Sequence, residues 1–313
     1  MKNKIIAIIM ILMAGSAISA EKTGGDMEIK VRVSSICVEI PGKNLQARLD
    51  QVDKYLDEAG KLKSDIVCIP EWFHGEFGKK PSQIAEEIPN GKTAKYISEK
   101  AKKWNMNIIA PMVEKDGNKV YNCSVVFDRN GKVIGKYRKT HLAGGSEKPP
   151  NVYPGDDLPV IETDFGKIGI FTCHDMNFME ICRTYMLKGA EIVFWPTMWG
   201  VGANQPNQEE YFFMHIKSQA ILNCLYIVPC DYAWMDDKHN DMPLGNSSIV
   251  DPNGNILATT GLKGGLASAE IILYKKVRPY KDQQDDYDVN YAIRKQAIMK
   301  ERRPELYKII ADR

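Results

Sequence analysis

The sequence lacks the cysteine patterns that mark zinc sites and disulfide frameworks. Its seven cysteines include no C-x-x-C pair, and their spacings match no zinc motif. Because seven is an odd number, at least one thiol stays free or pairs with another chain. Four lie in or beside apolar, strand-like runs and are predicted to be small buried core residues: Cys37, Cys68, Cys123 and Cys224. A metal site and a disulfide scaffold are therefore not expected.

A long apolar run is also lacking. The run Ile5–Met13 follows Lys2 and Lys4 and precedes small residues, an order typical of a secretory signal peptide. It is shorter than the roughly 20 apolar residues that span a bilayer. We predict a signal peptide over residues 1–20, cleaved after Ala20, although an uncleaved membrane anchor is the alternative. The protein is then exported to the periplasm or the extracellular space, with no stable membrane span after cleavage.

The chain without this leader has no excess of either charge. Removing Lys2 and Lys4 leaves 40 basic residues against 40 acidic ones. A neutral body has no electrostatic footprint for nucleic acid or an anionic membrane surface. No linker rich in Ser, Pro or Gly divides the remaining residues, so we predict one domain.

Strand-like and helix-like segments alternate along that domain, which predicts an α/β protein. Hairpins are predicted at Asn130-Gly131 and Asn253-Gly254. The segments "DIVCIPEWF" and "EIVFWPTMW" are near-echoes, which suggests two pseudo-symmetric halves that share one core. From about Tyr280 the chain becomes charged and aromatic, with one helical stretch. This arm is predicted to pack on something, such as a second subunit, and a solvated arm is the alternative.

Three reactive side chains each follow an apolar run. Glu71 follows "DIVCIP", Lys139 follows "GKVIGKYR" and Cys173 follows "GKIGIFT". Active sites of open α/β folds gather where buried strands end. Together a carboxylate, an ammonium and a thiol suffice for acyl transfer, whereas each alone has a simpler explanation. Those explanations are a strand cap for Glu71, a solvated basic cluster for Lys139 and core packing for Cys173.

The order of the blocks resembles the nitrilase-like carbon–nitrogen hydrolase superfamily. The blocks that carry the resemblance are "CIPEWF", "KYRKTHL", "GIFTCHDMNFMEICR" and "GAEIVFWPT", followed by "KSQAILNCLYIV", "GNSSIVDPNGNILA" and "RRPELY". The resemblance runs from about residue 28 to 308, with the C-terminal arm from about 280. It implies a four-layer αββα sandwich and a homodimer or higher homo-oligomer.

The resemblance also implies roles for single residues. Cys173 becomes the nucleophile, Glu71 the general base and Lys139 the stabiliser of the tetrahedral intermediate, with the backbone N–H of His174 beside it. Glu147, ahead of Pro154-Gly155, becomes a supporting residue, and an exposed loop acid is the alternative. No metal and no organic cofactor is implied.

The residues around the cysteine favour amide substrates over nitriles. The segment Cys173-His174-Asp175 resembles the Cys-x-Asp of amidases and N-carbamoyl amidohydrolases, which implies a small amide or ureido substrate. His174, Trp72 and Trp199 are candidates for the substrate pocket, with core packing as the alternative for the two tryptophans. A Cys173–His174 dyad is not expected, because neighbours on an extended strand point to opposite faces.

Two other functions remain open at this stage. One is a nitrilase-fold acyltransferase, in which an amine replaces water. The other is a secreted binding protein of the same fold without turnover, although all three of the reactive residues are present. A cysteine protease of the Cys–His type is disfavoured because no matching His and Asn constellation is found.

Overall fold

The computed structural model describes residues 27–40, 45–75, 78–145, 147–200, 208–234, 245–277, 279–280 and 290–311. The predicted signal peptide lies outside these ranges. The strands are β1 (Met27–Ile40), β2 (Ile66–Cys68), β3 (Asn107–Asp116), β4 (Lys119–Phe127), β5 (Val133–Arg138), β6 (Ile161–Glu162), β7 (Lys167–Ile170), β8 (Ile192–Pro196), β9 (Tyr226–Cys230), β10 (Tyr232–Trp234), β11 (Ser248–Val250), β12 (Ile256–Thr259) and β13 (Gly265–Lys276). The α-helices are α1 (Leu45–Lys61), α2 (Pro81–Ile84), α3 (Lys92–Trp104), α4 (Met179–Leu187), α5 (Gln208–Asn223), α6 (Tyr291–Glu301) and α7 (Lys308–Ala311), and short 3-10 helices cover Cys173–Asn177 and Pro304–Leu306.

The described strands form two sheets. The first has the order β10-β1-β2-β3-β4-β5, with β13 also paired to β1, and the second has the order β12-β11-β9-β8-β7-β6. Two different strands pair in parallel with successive parts of β1. Val33 pairs with Ile66 of β2, and Val38 pairs with Tyr232 of β10. The second half of the chain therefore contributes β10 and β13 to the sheet built mostly from the first half. Both predicted hairpins are present, as β4–β5 and β11–β12.

Apolar side chains from both sheets meet in one core. A single buried cluster includes Val33 and Ile108 from the first sheet and Ile168 and Phe194 from the second. Helices α1 and α3 cover the outer face of the first sheet, and α4 and α5 cover the outer face of the second through a separate cluster. The short apolar runs of β2, β8 and β9 are fully buried, as expected for strands covered on both faces. The expected four-layer αββα sandwich is confirmed.

The strand directions bring several carboxyl ends to one edge of each sheet. Strands β2 and β3 are parallel, and β5 shares their direction because β3 and β5 both run antiparallel to β4. In the second sheet β7, β8 and β9 are all parallel. Segments that follow β2, β5, β7, β8 and β9 can therefore converge, which is the arrangement that builds ligand sites in α/β folds.

The described part of the C-terminal arm packs on its own chain. The ring of Tyr291, at the start of α6, lies 5.6 Å from the ring of Tyr226 and 5.4 Å from that of Tyr274. Its hydroxyl donates to the carbonyl of Ile272 at 3.1 Å. The alternative of a solvated arm is wrong for α6, whereas packing on a second subunit stays a prediction. Within the described ranges we find no helix that combines the length and apolar character needed to cross a membrane.

Candidate active site

Glu71, Lys139, Glu147 and Cys173 come together between the two sheets. Glu71 follows β2, Lys139 directly follows β5, and Cys173 lies just beyond β7. Glu71 is 6% exposed, Lys139 1% and Glu147 7%. Burial of two carboxylates and an ammonium is costly unless the charges are paired, so this concentration of charge needs a reason beyond packing.

The carboxylate of Glu71 is held by three donors, and its backbone carbonyl by a fourth. Its Oε1 accepts from Asn122 Nδ2 at 2.7 Å and from Lys139 Nζ at 3.0 Å. Its Oε2 accepts from the backbone N–H of Met198 at 3.1 Å. Its backbone carbonyl accepts from the Tyr232 hydroxyl at 2.8 Å. The carboxylate is therefore fixed from both sheets rather than free to rotate.

Lys139 is paired with both carboxylates. Its Nζ lies 2.7 Å from Glu147 Oε2, in addition to the contact with Glu71. Burial alone would lower the pKa of Lys139, but the negative charges of Glu71 and Glu147 raise the pKa above its usual value. The lysine is therefore a permanent cation in this site. The alternative of an exposed loop acid at position 147 is wrong.

Asn122 completes a closed ring of side chains with these three. Its Nδ2 donates to Glu71 Oε1 and to Glu147 Oε1, both at 2.7 Å. The backbone N–H of Lys139 donates to the carbonyl of Asn122 at 2.8 Å, because β4 and β5 are neighbours. Asn122 was not predicted from the sequence, since an Asn inside the strand-like run "YNCSVVF" carries no signal of its own. Only the register of β4 beside β5 shows its place.

Cys173 begins a 3-10 helix in a strained conformation. Its φ is 49°, in the left-handed region that is uncommon for residues other than glycine. Such a turn between a strand and a helix projects a nucleophile away from the sheet, and backbone strain of this kind clusters at active sites. The strand-based reason for rejecting a Cys173–His174 dyad is wrong, because these residues lie in a helical turn.

The thiol of Cys173 lies within electrostatic reach of the ring. Burial raises the pKa of Cys173, and the negative charge of Glu71 raises it further. The cation of Lys139, the Thr197 hydroxyl and the Met198 N–H act in the opposite direction without cancelling the effect. The resting thiol is therefore protonated and needs a base to become a nucleophile.

Asp175 joins the segment after Lys139 to the turn that carries Cys173. This fully buried carboxylate accepts hydrogen bonds at both oxygens. The donors are Tyr137 Oη (2.6 Å), Thr140 Oγ1 (3.1 Å), the backbone N–H of His141 (3.0 Å) and the backbone N–H of Thr172 (2.8 Å), with His141 Nδ1 at 2.9 Å. The sequence indicated Asp175 as part of a Cys-x-Asp pattern but not as this link.

The three candidate pocket residues have different surroundings. The half-buried His174 contacts Asn177, whose Nδ2 lies 3.1 Å from its Nδ1. Trp72 has a positive φ of 52° directly after Glu71, and its buried Nε1 has no hydrogen-bond partner among the described residues. Trp199 belongs to an aromatic group with Trp195, Tyr211, Phe212 and His215.

Three further observations concern the support of Cys173, the state of the cysteines and the possibility of a metal site. Trp195, one ring of that aromatic group, donates its Nε1–H to the backbone carbonyl of Cys173 at 3.1 Å, so the aromatic group supports the nucleophile turn. All seven cysteines are free. Within the ranges that the structure describes, no group of three or more His, Cys, Asp or Glu side chains is placed to hold a metal ion.

Comparison with known proteins decides the family. The family model described as carbon–nitrogen hydrolase matches residues 32–280. The chain belongs to this family. Among relatives of this hydrolase, the ω-amidase NIT2 of Homo sapiens is 29% identical over 230 residues, which are 71% of this chain and 81% of that protein. The ω-amidase NIT2 of Xenopus tropicalis is 30% identical over 72% of this chain and 83% of that protein.

Solved structures show the same fold. The carbon–nitrogen hydrolase from Helicobacter pylori G27 covers 91% of this hydrolase and 99% of its own chain, with a TM-score of 0.75 and 23% identity. Nit3 of Saccharomyces cerevisiae, a member of branch 10 of the nitrilase superfamily, gives a TM-score of 0.66 at 25% identity over 77% of this chain and 89% of its own. Family membership and these relatives support hydrolysis of an amide carbon–nitrogen bond in broad terms.

Proposed function

We propose that this hydrolase cleaves the C–N bond of a small amide or an N-carbamoyl amine through a thioester at Cys173. The observation that carries the proposal is the buried contact of Lys139 Nζ with Glu71 at 3.0 Å and Glu147 at 2.7 Å, beside the thiol of Cys173. These are a base, a cation and a nucleophile in one water-poor site, where electrostatic stabilisation is strongest.

The first half of the reaction forms the thioester. Glu71 takes the proton of the Cys173 thiol, and the thiolate attacks the carbonyl carbon of the substrate. Lys139 Nζ and the backbone N–H of His174 hold the resulting oxyanion. When the C–N bond breaks, Glu71 returns its proton to the nitrogen, which leaves as ammonia or an amine.

The second half regenerates the thiol. Glu71, ionised again, takes a proton from water, and the hydroxide attacks the thioester carbon. The tetrahedral intermediate expels the Cys173 thiolate, which recovers a proton from Glu71. The sum is one amide and one water giving one carboxylic acid and one amine, and for an N-carbamoyl amine the acid is carbamic acid.

The net charge of the buried site supports this order of steps. Transfer of the proton from Cys173 to Glu71 moves one negative charge and leaves the total unchanged. Lys139 and Glu147 then remain a paired cation and anion. The reaction therefore never adds a second uncompensated charge to a buried site, which would be strongly unfavourable. Glu147 has the role of holding the ammonium of Lys139, and His174, Trp72 and Trp199 stay candidates for the pocket.

A solved relative of low identity also carries a nucleophilic cysteine. The amidase from Nesterenkonia sp. AN1 is 19% identical, with a TM-score of 0.68 over 89% of this chain and 95% of its own. The structure of a mutant of that amidase shows covalent addition of the acetamide moiety of fluoroacetamide at the active-site cysteine, a carbon–sulfur bond that forms as fluoride leaves. For this chain we propose Cys173 as the nucleophile, with the carbonyl carbon of the substrate as its target.

Ammonia release tests the proposal. Protein lacking residues 1–20 is incubated with small amides, ureido compounds and nitriles, beside a Cys173→Ala variant of equal thermal stability. We expect release from amides or ureido compounds that disappears in the variant. Release that persists in Cys173→Ala, or no release from any compound by the folded wild-type protein, contradicts the proposed hydrolysis.

We also propose that the protein is exported and that it forms a homodimer or a higher homo-oligomer. The sequence of Lys2 and Lys4, an apolar run and small residues supports cleavage after Ala20. N-terminal sequencing of protein recovered from the periplasm or the medium tests the cleavage site. Light scattering of the mature protein tests the predicted homodimer or higher homo-oligomer.

A further inference from the structure

Asp231 is a buried carboxyl group behind the candidate base Glu71. It lies between β9 and β10 and is fully inaccessible to solvent. Its Oδ1 accepts from the backbone N–H groups of Trp199 at 3.1 Å and Tyr232 at 2.8 Å. Its Oδ2 has no hydrogen-bond partner in the part of the chain that the structure describes. Such a group in a native core calls for an explanation.

The two segments bound by Asp231 are also the two segments that hold Glu71. Met198, adjacent to Trp199, donates its backbone N–H to Glu71 Oε2 at 3.1 Å. The hydroxyl of Tyr232 donates to the backbone carbonyl of Glu71 at 2.8 Å. One oxygen of Asp231 thus links the segment after β8, in the second sheet, to β10 in the first.

The surroundings of Asp231 favour its neutral form. Burial raises the pKa of Asp231 well above its usual value, and the negative charge of Glu71 also raises it. The N–H groups of Tyr232 and Trp199 act in the opposite direction but do not reverse the effect. A neutral carboxyl with its proton on Oδ2 accepts both N–H groups at Oδ1, and its O–H group then has no acceptor among the described residues. An ionised carboxylate with the same bare buried oxygen is more unfavourable still, because it leaves a charge unpaired.

We propose that Asp231 is a positioning residue that, as a neutral carboxylic acid, fixes the Met198 and Tyr232 segments and so directs Glu71 at Cys173. This inference rests on the proposed function, in which Glu71 takes the proton of the thiol. A charged Asp231 would repel the ionised Glu71 and the thiolate. A neutral acid holds the same two backbone groups without that repulsion.

The two substitutions that separate these roles are Asp231→Asn and Asp231→Ala. The amide of Asn keeps an acceptor at the Oδ1 position and an N–H group where the O–H stands, whereas Ala removes the acceptor. The matched control is Ser34→Ala, which deletes a buried hydroxyl in β1 whose bonds to described residues are those to Ser64 and Ser268. Thermal unfolding of every variant checks the fold.

The readout is the alkylation rate of Cys173 by iodoacetamide, located by peptide mapping and measured from pH 5 to 10 without any substrate. Because the other six cysteines are buried, Cys173 is the thiol that reacts first. We expect the Asn and Ser34→Ala variants to react at rates close to the wild type. The Ala variant is expected to react about tenfold more slowly, the scale of one lost hydrogen bond to a buried group.

Three results overturn the proposal. They are equal slowing by Asn and Ala, no slowing by Ala, and an alkylation profile of the Asn variant displaced to lower pH. The last result would mean that Asp231 is negatively charged in the wild type and that Asn removes this charge. The titratable groups that face position 231 are Glu71, Cys37 and Tyr232. If the Ala variant does not fold, the pH profile of the Asn variant decides alone, since a profile superimposed on that of the wild type supports a neutral Asp231.

Failure of the proposed hydrolysis is distinguishable from failure of this proposal. It removes ammonia release from the wild type and leaves the difference in alkylation rate between the Asn and Ala variants unchanged.

Discussion

Asn122 Nδ2 lies 2.7 Å from Glu71 Oε1 and so sets the orientation of the candidate base from the neighbouring strand. The same nitrogen donates to Glu147 at 2.7 Å, so one amide group holds both carboxylates of the site. Since both acceptors are charged and buried, each bond belongs to the stronger class of hydrogen bonds.

Asn122→Ala is therefore expected to lower kcat/KM by about 10- to 100-fold, because a hydrogen bond to a charged group contributes about 1.5–3 kcal/mol. The matched control is Ser124→Ala, two residues along β4, whose buried hydroxyl has no partner among the described residues. Steady-state kinetics on the best amide compares the two variants. Equal activity of Asn122→Ala and Ser124→Ala would show that the amide does not position Glu71.

Lys139→Met is expected to remove activity and stability together. Loss of one donor to an oxyanion costs about 10²–10³ in kcat. The substitution also leaves Glu71 and Glu147 without their buried cation, which costs about 3–5 kcal/mol in the free energy of unfolding. Kinetics and thermal unfolding measure both effects, beside Lys132→Met at an exposed position of the β4–β5 turn.

The double variant Lys139→Met with Glu147→Gln provides the internal control for this charge argument. Because Gln removes one of the two uncompensated charges, it recovers part of the lost stability but none of the lost activity. A double variant less stable than Lys139→Met would mean that the two carboxylates are not destabilised by the absence of the cation.

Asp175→Asn is expected to loosen the link between Lys139 and Cys173. An amide nitrogen cannot accept from the Tyr137 hydroxyl or from the Thr172 N–H, so whichever oxygen it replaces loses its acceptor role. We expect a fall in kcat/KM of about 10-fold or more, with a smaller effect on KM than on kcat. The control Thr140→Val removes only one of the donors to Asp175, at 3.1 Å, together with the hydroxyl's contacts with Tyr137 Oη and His141 Nδ1, and is expected to change activity far less.

Asp57 gives a prediction about pH and stability that is independent of the site. Burial alone would raise the pKa of Asp57, but hydrogen bonds from Lys100, Trp104 and Lys103 lower the pKa to about 2. A depressed carboxyl pKa contributes stability above the unfolded value near 3.9, and this stability disappears as the pH falls toward 2.

Asp57→Asn is therefore expected to reduce the free energy of unfolding by about 2 kcal/mol at pH 7, less any screening by solvent. The difference from wild type should shrink between pH 4 and pH 2. Denaturant titrations at several pH values measure it, with the exposed Asp50→Asn in the same helix as control. A difference that does not depend on pH in this range would assign the effect to packing.

The sequence predicted the parts of the site that end apolar runs. Glu71, Lys139 and Cys173 each lie at or just beyond the end of a strand, and strand ends are visible as a change from apolar to reactive residues. Block order resembling a known superfamily added Glu147 and the four layers. These features are local in sequence, or belong to a family pattern, and so they were accessible before the structure.

The remaining parts depend on contacts between distant segments. Asn122 and Asp231 lie within or directly beside apolar strands, where a polar residue gives no indication of its partner. The pairing of β10 and β13 with β1 in the first sheet also has no sequence signal, because it depends on which backbone groups of β1 are left unpaired by the other strands. Pairing and register between separate strands determine all three.

The most direct test of thioester catalysis is the mass of the Cys173 peptide during turnover. Wild-type protein is mixed with the best amide, quenched in acid within the first turnovers and mapped by peptide mass spectrometry. We expect an added acyl group on the Cys173 peptide that disappears on treatment with hydroxylamine and is absent from Cys173→Ala. An enzyme that releases ammonia steadily while Cys173 stays unmodified at every quench time, and that remains active as Cys173→Ala, would contradict thioester catalysis.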